Sequence, residues 1–345
     1  MNCYDAPVLG IETSCDETSC AVLNGTTVLS NVVSSQAALH EKWGGVVPEA
    51  AARAHVESIL PVVDEAIKIA NVGTPGAIAV TNRPGLVGAL SVGVTAAKAL
   101  SMAWQIPLIG VHHLEGHVMS TSLAGHSPPY PHLCVIVSGG HTELILVSKS
   151  CEYKQIGGTI DDAAGEAFDK GARLLGLGYP GGQAVQEMAR SGDPNRYDLP
   201  RALKSKPYDF SFSGLKTAVL RLVEREGKAI NVSDLAASLQ EAIVDVLVEK
   251  STRAAEDTSA KAIALVGGVA ANERLRKQMK AAAERIGVGF FAPPLQFCTD
   301  NAAMIALAGS VRLAQGERDG FELEVSANER FADPIDAGAL RDTSF

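Results

Sequence analysis

The sequence predicts an α/β fold built from two related halves. Short apolar strands alternate with longer helical stretches. Glycine is abundant, 33 in 345 residues, as many tight strand-to-loop junctions require. One pattern also occurs twice: a strand, a polar hairpin loop and, later, a strand followed by a Gly-rich loop. With 46% apolar residues the chain can bury a sizeable core and form two domains.

The elements follow in order. Val8 to Glu12 reads as a buried strand entering a polar loop, Thr13 to Ser19. Cys20 to Leu23 reads as the return strand, with Thr27 to Val33 across the Asn24-Gly25 turn. Pro48 to Ala70 has helical character, with a break or kink expected at Pro61. Ala77 to Thr81 is a strand, Gly88 to Trp104 a helix of small residues, Leu108 to Val111 a strand and His113 to Ala124 a helix. The second cycle opens with the strand Leu133 to Val137, the loop Ser138 to Thr142 and the strand Glu143 to Val147. Ile263 to Val266, with the loop Gly267 to Asn272, parallels Ala77 to Thr81 with its loop Asn82 to Gly85. The boundary falls at 128, giving lobes 1–128 and 129–345, and a cleft between such halves is a natural ligand site.

The net charge of -9 argues against a large basic nucleic-acid face, leaving a local groove or one completed by a partner. Residues 193–216 are the best local RNA-facing candidate. They hold Arg196, Arg201, Lys204, Lys206 and Lys216 among Tyr197, Tyr208, Phe210 and Phe212, either as a mobile insertion or as a solvated surface segment. No basic leader with an apolar core opens the chain, and no uninterrupted apolar run approaches about 18 residues, so no membrane span is expected. Six dispersed cysteines form no CxxC pairs, as in a reduced cytoplasmic protein.

Chemistry concentrates in His113-Leu114-Glu115-Gly116-His117. On a helix the two imidazoles share a face and can bind one ion; otherwise they are surface histidines. The run differs from HExxH, because Glu115 stands two residues after His113 and points elsewhere. Asp300 is the remote third ligand or, alternatively, an N-cap for the helix Asn301 to Leu313. Two imidazoles and a carboxylate suit Fe(II), Zn(II) or Mn(II). The loops Ser138–Thr142 and Gly267–Asn272 lack Walker and dinucleotide spacing, yet their paired glycines admit an anion to the backbone amides. Asn272 contacts a ligand or caps its helix. In Asp161 to Lys170, Asp162 can cap a helix while Glu166 and Asp169 bind hydroxyls or a cation, or form an acidic first turn. Tyr179-Pro180-Gly181-Gly182 reads as a tight loop able to pack over a base. Glu12, beside Asp16 and Glu17, acts as a base, positions an amine or satisfies loop amides.

Together these motifs resemble the Gcp/TsaD family, once called the glycoprotease or O-sialoglycoprotein endopeptidase family. The resemblance runs from about Val8 to Arg318. It rests on Gly10-Ile11-Glu12-Thr13-Ser14-Cys15-Asp16-Glu17-Thr18, the His-Leu-Glu-Gly-His run, Val137 to Thr142, Asp161 to Lys170, Phe210 to Thr217 and Thr299 to Ala303. It implies the actin-like ATPase fold of sugar kinases and Hsp70. It also implies transfer of threonylcarbamoyl from threonylcarbamoyl-AMP to N6 of adenosine 37, in tRNAs reading codons that begin with adenine. By the same resemblance His113, His117 and Asp300 are ligands of one divalent ion, iron(II) or zinc(II). Ile136, Val137, Ser138, Gly139 and Gly140 form the first ligand loop, Asp169, Gly182 and Asn272 make other nucleotide or substrate contacts, and Glu12 assists transfer. The implied partners are tRNA, an inactive TsaB-like paralogue and a TsaE-like P-loop ATPase. Arg83 departs from the family's Gly-Pro-Gly-Leu, and its charge is expected to face RNA or a partner. Three other readings compete: an actin-fold small-molecule kinase, a metalloprotease using Glu115, and a non-catalytic nucleotide-gated scaffold.

Overall fold

A computed structural model describes residues 1–203 and 205–335. Two compact units emerge. The first comprises Met1–Ser127 and Pro293–Phe331; the second comprises Pro128–Ala292 with the described residues 332–335.

The first unit opens with β1 (Val8–Glu12), β2 (Glu17–Asn24) and β3 (Thr27–Ser35), an antiparallel meander whose Asn24–Thr27 pair closes the expected turn. Strand β2 begins three residues earlier than the apolar run indicated, which shortens the polar loop. Next come α1 (Ala37–Glu41), α2 (Pro48–Ala70), β4 (Ala77–Arg83), α3 (Val87–Trp104), β5 (Leu108–His112) and α4 (His113–Met119). Beyond Met119 the expected helix tightens to a 3-10 turn, Ser120–Ala124. Strands β4 and β5 run parallel to β1, giving the order β3-β2-β1-β4-β5.

Helix α2 buries Ala51, His55, Ile59, Val62 and Ala66, the stripe that a 3.6-residue period puts on one face. It runs through Pro61 without ending. Pro61 and Glu57, whose carbonyl loses its helical donor, are both exposed residues, so the lost bond falls on the solvent side of the helix. Helix α3 is long and apolar enough to cross a membrane; it buries one face, Ala89, Leu90, Gly93, Val94 and Ala97, and packs on α2 and β4.

The second unit repeats this plan. It comprises β6 (His132–Val137), β7 (Thr142–Lys149), β8 (Glu152–Gly158), α5 (Ala164–Leu174), α6 (Gly181–Ala189), α7 (Ser213–Glu226), α8 (Val232–Asp257), β9 (Ala262–Val266), α9 (Glu273–Arg285) and β10 (Gly289–Phe291). The order β8-β7-β6-β9-β10 matches the first sheet strand for strand, in both the antiparallel and the parallel pairings. The twofold sequence pattern therefore reflects a duplicated topology.

The chain then departs from the expected division. Helix α10 (Ala302–Ala314) belongs to the first unit, so 293–331 returns there instead of staying in a lobe 129–345; residues 336–345 lie outside the described residues. The cause is the open face of the first sheet. Leu9 and Ile11 point into the cluster shared with α2 and α3, whereas Gly10, one residue out of phase, faces α10. A Cβ on Gly10 would collide with the Ala302 carbonyl, so glycine permits the close approach. Helix α10 is buried almost all round and covers β1, β2 and β4. The last short strand, β11 (Asp333–Pro334), pairs with β8.

Residues 193–216 are a second correction. Tyr197, Leu199, Tyr208, Phe210 and Phe212 are core residues of the second unit, so these aromatics are not available to stack on RNA. Helix α8 pins the segment through Asp245–Arg201, Tyr208–Asp257 and Lys250, whose ammonium donates to the Leu203 and Lys206 carbonyls. Arg196, Lys206 and Lys216 remain exposed, and Lys204 lies outside the described residues.

Two outcomes follow from this packing. The fully buried Glu115 pairs with Arg312 across α4 and α10 at 2.7 Å. Glu115→Ala leaves the guanidinium with Glu317 alone and should cost about 1–3 kcal/mol in denaturant melts. Burial pushes the His132 imidazole down to about 4, against a hydrogen bond to Pro129 that favours the proton. The unfolded chain therefore takes up this proton first. The stabilisation is complete above about pH 6.5 and is lost as pH falls toward 4. His132→Gln should flatten the stability profile across that window, as chemical melts at each pH would show.

Candidate metal centre and nucleotide loop

The ends of the parallel strands β1, β4 and β5 converge in the first unit, where open α/β sheets place ligand sites. Strand β5 leads directly into α4. The His112 side chain caps that helix by accepting from the Leu114 amide, which sets the next turn in place. His113 and His117 then lie on one face, their rings edge to face with centroids 4.7 Å apart. Helix α10 brings the third residue. Asn301, not Asp300, caps α10 by accepting from the Met304 amide, so Asp300 is spared the alternative role the sequence allowed it. Gly116, between the histidines, lies against Met304 and Ile305, and its lack of a side chain lets α10 come this near.

The outcome is one carboxylate oxygen facing two ring nitrogens. Asp300 Oδ1 is 3.1 Å from His117 Nε2 and 3.4 Å from His113 Nε2. Neither nitrogen of the buried His117 has an aligned hydrogen-bond partner among the described residues, despite that short approach. Ligand atoms each about 2.1 Å from one ion and about 90–110° apart stand about 3.0–3.4 Å from each other. Both Asp300 separations fall in that range, all three ligand atoms lie within 4.8 Å of one another, and the donor types suit a divalent ion. The electrostatics agree. Burial alone would lower the His113 pKa, but the carboxylates of Asp300 and Glu12 outweigh it and hold the imidazole well above its ordinary value. Burial opposes ionisation of Asp300, yet His113 and His117 keep it well below the usual carboxylate range. Burial, then Asp300, Asp16 and Glu12, push Glu17 up to about 10. This surplus of crowded carboxylates is what a cation offsets.

Glu12 ends β1 fully buried. It accepts from the Ser14 amide and the Thr81 hydroxyl, and its Oε2 is 3.0 Å from His113 Nδ1. Burial raises its pKa and His113 more than reverses this, so it lies low. Ser14 and Thr81 were not legible as site residues, since isolated hydroxyls carry no spacing signal. Arg83 turns to Glu329 at 2.9 Å, where partners of another kind were expected. Glu115 is taken up by Arg312, which removes the base that the metalloprotease reading needs.

In the second unit, the loops after β6 and β9 lie at adjacent parallel strand ends, with Ile136 opposite Val266. Ile136 and Val137 are buried strand residues; Ser138 closes a turn to His141, and exposed Gly139 and Gly140 have open space above them. Gly267, at φ +94°, is packed against the Val137 carbonyl, a position no other residue fits. Ala163 occupies the N-cap position of α5, so Asp162 is not its cap; it pairs with Lys170 instead. Asp169 accepts from the Gly181 amide, and Gly181 and Gly182 begin α6 where a loop was expected. Asn272 caps α9 through Leu275 and donates to Gln240, so both ends of its amide are engaged.

Residues 27–307 match the family described as TsaD: tRNA N6-adenosine threonylcarbamoyltransferase. The protein of that name from Anaeromyxobacter dehalogenans is 55% identical over 323 residues, covering 92% of this chain and 97% of the relative. Its namesake from Symbiobacterium thermophilum is 53% identical over 321 residues, covering 92% and 94%. Among solved structures, T. kodakarensis HypF matches 90% of this chain and 48% of its own, with a TM-score of 0.60 and 13% identity. The activator of 2-hydroxyisocaproyl-CoA dehydratase from Clostridium difficile, solved with bound ADPNP, matches 90% and 96%, with a TM-score of 0.53 and 12% identity. At such identities these two structures speak for the fold, which is the actin-like ATPase fold. Sequence match and duplicated topology agree: the chain belongs to the TsaD family of tRNA N6-adenosine threonylcarbamoyltransferases.

Proposed function

We propose that the chain transfers threonylcarbamoyl from threonylcarbamoyl-AMP to N6 of adenosine 37, in tRNAs that read codons beginning with adenine. Family membership supports the reaction class. The observation that carries the site reading is the convergence of His113, His117 and Asp300 on one point. A divalent ion held there, iron(II) or zinc(II), would supply Lewis acidity toward the carbonyl under attack.

The chain's own residues supply binding and orientation. The exposed amides of Gly139 and Gly140, fixed by the Ser138–His141 turn, are proposed to receive the adenylate phosphate, with Ile136 and Val137 setting the loop's origin. Asp169 and Gly182 border the ribose in this reading, and Asn272 shapes the neighbouring turn. In the reaction the N6–carbon bond forms, the carbonyl–oxygen bond to the phosphate breaks, AMP departs and the proton lost by the amine passes to the departing phosphate or to solvent. Because that amine is a weak nucleophile, orientation supplies much of the rate. The base beside the anticodon sits in an RNA loop, where it can be presented unstacked. The net charge of -9 leaves phosphate neutralisation to partners, here proposed to be a TsaB-like inactive paralogue and a TsaE-like P-loop ATPase in the cytoplasm.

The test is reconstitution with unmodified tRNA and threonylcarbamoyl-AMP, with and without those partners, and the nucleoside product identified by mass. His113→Ala and Asp300→Ala should each lose the bound ion and reduce product at least ~100-fold while the far-UV spectrum is kept. Wild-type yield from both variants would defeat the reading. Phosphoryl transfer from ATP to sugars would favour the kinase instead.

A further inference from the structure

Glu12 lies too deep to meet a substrate, at 1% exposure, and both its oxygens are engaged. Oε1 accepts from the Ser14 amide, while Oε2 accepts from the Thr81 hydroxyl and faces His113 Nδ1. Ser14 Oγ is 3.2 Å from the same ring nitrogen. The loop beneath is tied to α3: the Thr13 hydroxyl donates to the Ala89 carbonyl, and the Leu86 amide donates to the Ser14 carbonyl.

We propose that Glu12 is a positioning residue that locks His113 in the tautomer able to bind the ion, and not a base that touches the reactants. The inference rests on the ion site proposed above and adds to it the cradle of Glu12, Thr81 and Ser14. An ionised carboxylate only accepts hydrogen bonds, so the nitrogen it faces must carry the hydrogen. Nδ1–H then donates to Glu12, and the lone pair of the neutral ring resides on Nε2. That atom is the one that faces Asp300, alongside His117 Nε2. A carboxylate behind a metal-binding histidine fixes the ring's orientation and raises its basicity.

Glutamine cannot reproduce the cradle. With its oxygen toward His113, its NH2 confronts the Ser14 amide, donor against donor. With its NH2 toward His113, Nδ1 must accept, and the hydrogen moves to Nε2, where the ion belongs. Titration of the full-length chain with zinc(II) against a competing chelator should therefore show Glu12→Gln binding about 10–100-fold more weakly than wild type. Wild-type affinity with transfer lost would overturn the inference and make Glu12 a participant in the reaction, leaving the ion site intact. A wild-type chain that binds no zinc would remove the ion site itself and the inference with it. A second measurement needs no variant to fold at position 12. In the zinc-loaded wild type, long-range proton–nitrogen correlation should show His113 protonated on Nδ1 and coordinated through Nε2. Coordination through Nδ1 would overturn the proposal.

Discussion

Helix α10 lying hard against α4 and β1 is the constraint on which the candidate metal centre depends. Asp300 precedes that helix and the two histidines lie on α4, so the His113–His117–Asp300 group exists only while the two helices hold their separation. Gly10 and Gly116 set how close they come, because a side chain at either place would meet α10 first. The Glu115–Arg312 pair fixes how far one slides along the other. It is buried at the carboxylate and open enough at the guanidinium for a second partner, Glu317. Packing and charge thus act on the same pair of helices, and the geometry of the centre is inherited from them.

The polar network around the centre is built outward from that packing. His113 meets Glu12 on one side and Asp300 on the other, and Glu12 is in turn held by Ser14 and Thr81. Two strand ends, one loop and two helices contribute. Farther out, His55 on α2 holds the loop's rim, with its ring nitrogens against the Thr18 hydroxyl and the Cys15 carbonyl. Burial first, and then the neighbouring carboxylates, drive Glu17 toward its neutral form. The second unit shows the same strand plan put to a different use. Its glycine loops occupy the adjacent ends of β6 and β9, where the first unit places Glu12 and Thr81 at the ends of β1 and β4.

Much of this was legible in the chain. Strands with both faces covered read as unbroken apolar runs, so β1, β4, β6 and β9 were found near their true limits. The duplicated pattern announced a duplicated sheet order. The histidine pair was visible because helical periodicity fixes neighbours four residues apart. Boundaries failed where local chemistry is ambiguous. Strand β2 starts inside a polar stretch, α2 continues through Pro61 on its exposed side, and α6 begins at glycines that look like a loop. The segment 193–216 misled because its aromatics resemble a stacking surface, and nothing local says that α8 will bury them.

The sequence by itself determined the alternation of strands and helices, the repeat, the pair His113 and His117, and the family. These are encoded by periods and motifs within a few residues of each other. Only the tertiary structure decided that Asp300 joins the pair while Asn301 takes the cap, that Glu115 serves Arg312, and that Glu12 is sealed behind His113. It also decided that 293–331 returns to the first unit. Such outcomes depend on which face of a sheet is left uncovered and on which buried charge finds a partner across 100 or more residues, and one-dimensional spacing carries no record of either.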